Sequence, residues 1–77
     1  MIDISKLTKS DKGRAVTYTA GHGDKEFGKI SSWNDKFVFV RYHTRLYKNN
    51  SYRQPLPGLH AQATSPDDLE FDHGWML

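Results

Sequence analysis

Seventy-seven residues without a cysteine leave room for one small domain that neither disulfides nor a thiolate zinc site can staple. Such a chain buries only about 60–65% of its unfolded surface, so its stability must come from aromatic burial and a hydrogen-bonded ladder. The net charge of +2 is unevenly spread: residues 1–35 sum to +1, residues 36–66 to +5 without one acid, and residues 67–77 to −4.

The opening Met1–Leu7 lacks a basic head followed by an apolar run, so it does not read as a signal peptide. No apolar run nears the roughly 20 residues of a membrane helix. A soluble, cytoplasmic protein is expected. Thr8-Lys9-Ser10-Asp11 has capping-box spacing, with Leu7 placed as a hydrophobic staple, but Gly13 follows at once and limits it to a single turn. Arg14–Thr19 alternates and predicts the first strand, with Val16 and Tyr18 on one face. The two glycines of Ala20–Glu26 predict a wide polar loop.

Phe27–Ser31 predicts a second strand with Ile30 inward, and Gly28 in its middle marks a bulge or bend. Trp33-Asn34-Asp35-Lys36 is the expected hairpin turn, because Asn and Asp tolerate the left-handed backbone of short turns. Phe37–Val40 is the most apolar and β-prone run of the chain. Val38, Val40 and Tyr42 share one face there; Phe37, Phe39, Arg41 and His43 share the other.

Turn signals at Asn49-Asn50-Ser51 and Pro55-Leu56-Pro57-Gly58 predict a long loop over Thr44–Leu59, with a short hairpin between Tyr47 and Tyr52. His60–Thr64 predicts a short strand whose alanines pack inward. Ser65-Pro66-Asp67-Asp68 is a second capping signature, with Pro at the first helical position and acids in the first turn. Leu69–Phe71 is the last strand, and residues 72–77 form a tail in which Trp75 is placed to dock. The expected core is Val16, Ile30, Val38, Val40, Ala61, Ala63 and Leu69.

Five short strands with one or two single-turn helices give an all-β domain of the small SH3-like barrel type, the class of Tudor and KOW modules, spanning residues 1–77 with its core at about 5–71. The strings GRAVTYT, EFGKISSWNDKFVFVRY and HAQATSPDDLEF, across about residues 5–71, are similar to a group of short proteins of tailed bacteriophages and prophages. The insertion Thr44–Leu59 and the tail after Phe71 depart from the shortest members. The resemblance implies a phage or prophage origin, a host bacterial cytoplasm and an SH3-like fold. It supplies no catalytic or binding residues.

His22, His43, His60 and His73 do not have the spacing of a metal site, and His22-Gly23-Asp24 is their nearest local pair. No metal or cofactor is expected. Catalysis is not expected either, since there is no nucleophile elbow, and Gly21-His22-Gly23 lacks the third glycine and the following helix of a phosphate loop. Asp67 and Asp68 are already explained as helix-start acids.

Two binding surfaces remain. From residue 41 to 53, Arg41, Arg45, Lys48 and Arg53 interleave with Tyr42, Tyr47 and Tyr52, a mixture suited to single-stranded nucleic acid: cations displace counterions and tyrosines stack on bases. The same side chains equally suit a solvated loop lying over the barrel. An aromatic groove of Tyr18, Trp33, Phe39 and Tyr42 would instead take a peptide or a methylated cation. Gln54-Pro55-Leu56-Pro57 could itself be a polyproline-type ligand segment. The leading expectation is a non-enzymatic protein-interaction module with a phage or host protein as partner. The alternative is single-stranded nucleic-acid binding through Arg41, Arg45, Tyr47, Lys48, Tyr52 and Arg53.

Overall fold

A computed structural model describes residues 1–47 and 53–72. Lys48, Tyr52, His73 and Trp75, and with them the expected docking of the tail, lie outside the described residues. The described chain is all-β, with six strands: β1 (Ala15–Thr19), β2 (Lys25–Trp33), β3 (Val38–Leu46), β4 (Arg53–Pro55), β5 (Gln62–Thr64) and β6 (Leu69–Phe71). All pairings are antiparallel, in the order β4-β3-β2-β1-β6, with β5 also on β3. Because β2 occupies one side of β3, β4 and β5 share the other: β4 takes Thr44–Leu46 and β5 takes Val38–Val40.

β5 and β6 thus sit at opposite edges, four strand spacings or about 19 Å apart if the sheet were flat. Only Ser65–Asp68 separates them in sequence, and this is a 3-10 turn, which rises only about 2 Å per residue. The sheet must therefore curl. Among the described residues no ladder joins β5 to β6, so the seam stays open. The Ile2 N–H donates to the Pro66 carbonyl at 2.9 Å, which ties the N-terminal segment to this linker.

The β2–β3 hairpin forms where expected, by a different device. No non-glycine residue among those described has a positive φ. The Asn34 side chain bends the chain instead, its Oδ1 accepting from the Lys36 N–H at 2.8 Å and the Phe37 N–H at 2.7 Å. The expected wide loop after β1 is a tight turn: Ala20 N–H donates to the Asp24 carbonyl and Gly23 N–H to the Ala20 carbonyl. Gly23 has φ 101° there, a conformation other residues rarely adopt.

β2 and β3 each carry one bulge. The ladder passes from Phe27↔Thr44 to Gly28↔Tyr42, leaving His43 unpaired, and from Ile30↔Val40 to Ser32↔Phe39, leaving Ser31 unpaired. Gly28 is buried against the bulged strand. A Cβ there would collide with the Arg41 carbonyl oxygen and stand 2.8 Å from Val40 Cγ1.

The core consists of Ile2, Val16, Ile30, Val38, Val40, Tyr42 and Leu69, each at most 5% exposed. Five of these seven belong to the expected set. Ala61 is half-buried and Ala63 exposed, because β5 turns Thr64 inward. The Thr64 hydroxyl donates to the Gln62 carbonyl at 3.3 Å and receives the Tyr42 hydroxyl at 2.7 Å, so its burial leaves no polar atom unsatisfied. Ile2 extends the core beyond its expected start near residue 5. The expected loop over Thr44–Leu59 is shorter, since Thr44–Leu46 continue β3 and Arg53–Pro55 form β4. Three 3-10 turns replace the expected one or two, the additional one being Ile4–Lys6, capped by Asp3.

Candidate nucleic-acid interface

The outward side chains of β2 follow the pleat. Lys25, Phe27 and Lys29 alternate with Glu26, Gly28 and Ile30, which face the concave side. Cross-strand partners share a face, so Arg41, opposite Lys29 in the ladder, also points outward. Arg53, opposite Leu46 on β4, reaches the same face, and its guanidinium lies 4.5 Å from the centre of the Phe27 ring. That cation–π contact holds Arg53 over the sheet. The outer face therefore carries four cations, Lys25, Lys29, Arg41 and Arg53, around the Phe27 ring, with Glu70 on the same face at β6, opposite Thr17.

No ion pair involves any of these four among the described residues. Lys29 and Arg41 are direct cross-strand neighbours, with Cβ atoms about 4.5–5.5 Å apart in such a pair, and like charges so placed destabilise a sheet. Lys29, Arg41 and His43 line an open cleft of about 630 Å³, completed by Gly13, Ser31 and Pro57 among others.

Arg45 behaves differently. The bulge at His43 shifts the alternation, so Arg45 joins Tyr42 on the concave side. There it pairs with Glu26, its ladder partner, at 3.6 Å. Its other nitrogen makes a long 3.5 Å contact to the Tyr47 hydroxyl, which itself donates to Gln54 Oε1 at 2.9 Å. The Tyr47 hydroxyl and the Glu26 carboxylate together push the Arg45 pKa up. Among the six residues of the basic run singled out from sequence, Arg41 and Arg53 share the outer face. Arg45 and Tyr47 belong to a separate network, and Lys48 and Tyr52 lie outside the described residues. Lys25, Phe27 and Lys29 were missed because only strand pairing brings them beside Arg41 and Arg53.

The four aromatics do not line one groove. Tyr18 and Tyr42 meet edge to face with centroids 6.2 Å apart. They border a cleft of about 260 Å³ with Glu26, Gln62 and Asp68. Tyr42 is a core residue, 5% exposed, and burial pushes its hydroxyl up to about 12. Trp33 packs against the core beside Ile4, at a cleft shared with the N-terminal segment. Phe39, opposite Ser32 and Ala63, faces outward.

No family model, curated protein or solved structure gives a significant match to this chain. Among the described residues no three His, Asp or Glu side chains gather closely enough to hold a metal ion, and His22 Nε2 lies 2.9 Å from Asp24 Oδ2. No helix among them is long and apolar enough to cross a membrane.

Proposed function

We propose that the protein is a non-enzymatic binding module on an SH3-like barrel, of phage or prophage origin, that holds single-stranded nucleic acid on its outer sheet face within the host cytoplasm. The barrel reading is supported by the strand order and by the single 3-10 turn that links the two edge strands β5 and β6. The phage reading rests on the sequence strings GRAVTYT, EFGKISSWNDKFVFVRY and HAQATSPDDLEF alone.

The observation that carries the binding reading is the Lys29–Arg41 pair. Two unopposed cations stand directly across a ladder, where they weaken the sheet, and two more flank them on the same face. A phosphate chain neutralises such a pair and releases its own counterions. Phe27 beneath Arg53 adds a ring and a guanidinium plane against which an unpaired base can stack.

Titration of a labelled oligothymidylate at two salt concentrations tests this. With four phosphates neutralised, log affinity should fall against log salt with a slope of about −2.8. Lys29→Ala with Arg41→Ala should flatten that slope by about 1.4. The same double substitution should leave the melting temperature unchanged or raise it, because it removes a repulsion. Arg45→Ala should barely alter the slope, since Glu26 already holds that charge on the other side. A slope that ignores Lys29 and Arg41, or one that depends on Arg45, refutes the outer-face assignment.

A further inference from the structure

At the end of the curled sheet, the segment containing Asp3 and Ile4, the β2–β3 turn and the Ser65–Asp68 turn enclose a cleft of about 690 Å³. Its apolar wall is built by Ile4, Trp33 and Pro66; Ile4 and Trp33 are half-buried and pack on the core. Its rim carries Asp3, Asp35 and Asp67, and no Lys, Arg or His side chain lines it.

The Asp3 carboxylate accepts from the Ser5 hydroxyl at 2.6 Å and the Ser5 N–H at 3.1 Å, bonds that hold its pKa below the ordinary carboxylate value. It is therefore fixed and anionic at neutral pH. The Asp35 and Asp67 carboxylates accept no hydrogen bond and join no ion pair among the described residues. The indole N–H of Trp33 likewise has no partner among them. An apolar wall under a rim of three carboxylates, with only the Met1 ammonium, itself 4.0 Å from Glu70, as a cation beside them, complements a ligand that is apolar and cationic.

We infer that this cleft docks a short segment of a partner protein in which aliphatic side chains alternate with Lys or Arg. In an extended segment, alternate side chains point to opposite sides and successive like-facing ones are spaced by about 6.6 Å. Aliphatic groups can then enter against Ile4 and Trp33, while the long Lys or Arg stems leaving the other side bend back over the rim to Asp35 and Asp67. Backbone carbonyls of the segment offer acceptors to the Trp33 indole. The outer face, with its four cations, repels the same segment. The docking site is therefore independent of the proposed nucleic-acid surface, and the two together would let one small domain tether a protein to a strand.

The test uses three hexapeptides, blocked at both ends, titrated into the isotope-labelled full chain and followed by NMR: three Lys-Leu repeats, three Glu-Leu repeats and three Lys-Ser repeats. The Lys-Leu peptide should move the Trp33 indole resonance and the amides of Asp35 and Asp67, and should leave those of Lys29 and Arg41 in place. Glu-Leu should bind at least about tenfold more weakly because its charge is wrong, and Lys-Ser similarly because it buries nothing. Asp35→Asn with Asp67→Asn should weaken Lys-Leu binding about fivefold to tenfold without shifting the melting temperature. Trp33→Leu, which keeps an apolar wall but removes the indole, gives a second readout and should weaken binding while the protein stays folded. Equal binding of Glu-Leu and Lys-Leu, indifference to the double substitution, or peptide-independent shifts of these residues on raising protein concentration, which would mean a second copy as occupant, each overturns the inference.

Discussion

Gly28→Ala inserts a single methyl where β2 crosses the bulged part of β3. The new Cβ would overlap the Arg41 carbonyl oxygen, stand 2.8 Å from Val40 Cγ1 and 3.0 Å from the Arg41 carbonyl carbon. Two of the three obstacles are backbone, and that backbone is held by the ladder on both sides of the bulge. Relief requires the two strands to separate locally, opening hydrogen bonds above Val40, one of the four largest fully buried side chains. Overpacking of this kind costs about 1–3 kcal/mol. The restricted unfolded chain of an alanine returns about 0.4–1 kcal/mol, which leaves a net loss of about 0–2.6 kcal/mol, about 1.3 kcal/mol at the middle of both ranges. Against a total of about 4–12 kcal/mol for a domain of this length, the loss is easily read. Gly21→Ala is the matched control, since a Cβ there meets nothing within 4 Å and its φ is not positive. Urea denaturation should show a lower midpoint for Gly28→Ala at an unchanged slope, and an equal or higher midpoint for Gly21→Ala. If Gly28→Ala matches Gly21→Ala, the close approach of β2 to β3 at Gly28 is wrong.

Val40→Ala should destabilise by about 1–3 kcal/mol through cavity formation, read in the same urea experiment. Phe39→Ala, on the outward face, should cost less; the reverse order would place the strand one residue out of register. The Tyr42 hydroxyl, raised from 10.0 to about 12 by burial, makes stability fall at alkaline pH. Below 10 both states are protonated and the contribution is complete. Between 10 and about 12 the unfolded chain gives up its proton while the folded one keeps it, so stability drops by about 1.4 kcal/mol per pH unit. Tyr42→Phe should remove that component of the alkaline slope, at a cost of about 0.5–1.5 kcal/mol at neutral pH from the lost bond to Thr64. Glu26→Gln should free Arg45 from its ion pair and leave oligothymidylate affinity almost unchanged, because the released charge opens onto the concave side.

What was legible in the sequence was what local chemistry decides. Asn34 announces a turn because its short side chain can reach two amides ahead of it, and Ser65-Pro66-Asp67-Asp68 announces a turn because cap, proline and acids all favour one. The alternation of Val38, Val40 and Tyr42 identifies the buried face because a nine-residue strand cannot change sides without a bulge. β4 was not legible: Arg53-Gln54-Pro55 has no apolar face and ends in a proline. It forms because the free edge of Thr44–Leu46 offers a ladder, and the Leu56 N–H completes it by donating to the His43 carbonyl at 3.0 Å. The phase of β5 was misread for a related reason. Hydrophobicity favours the alanines inward, whereas a Thr64 hydroxyl satisfied by Tyr42 and Gln62 can be buried at little cost. Ile2 belongs to no periodic pattern; its backbone bond to Pro66 ties the segment down while its side chain joins the buried cluster.

The candidate site depends on the bulge that Gly28 marks in the sequence, whose extra residue, His43, falls on β3, where the sequence does not place it. Read as an unbroken strand, β3 would turn Arg41, His43 and Arg45 to one side, and the basic run would form a single patch. The unpaired His43 inverts the phase, sending Arg45 to Glu26 and leaving Arg41 outward. Counting cations along residues 36–66 therefore includes one that is already neutralised. It also omits Lys25 and Lys29, which stand in a segment whose acids, Asp24 and Glu26, offset them in any count along the sequence. In the folded chain those acids do not share their face: Asp24 lies in the turn beside His22, and Glu26 points to the concave side. Strand pairing thus separates charges that are adjacent in sequence and gathers charges that are far apart. The outer face gathers four cations, three of them from β2 and β3, with Glu70 of β6 as the acid that shares it.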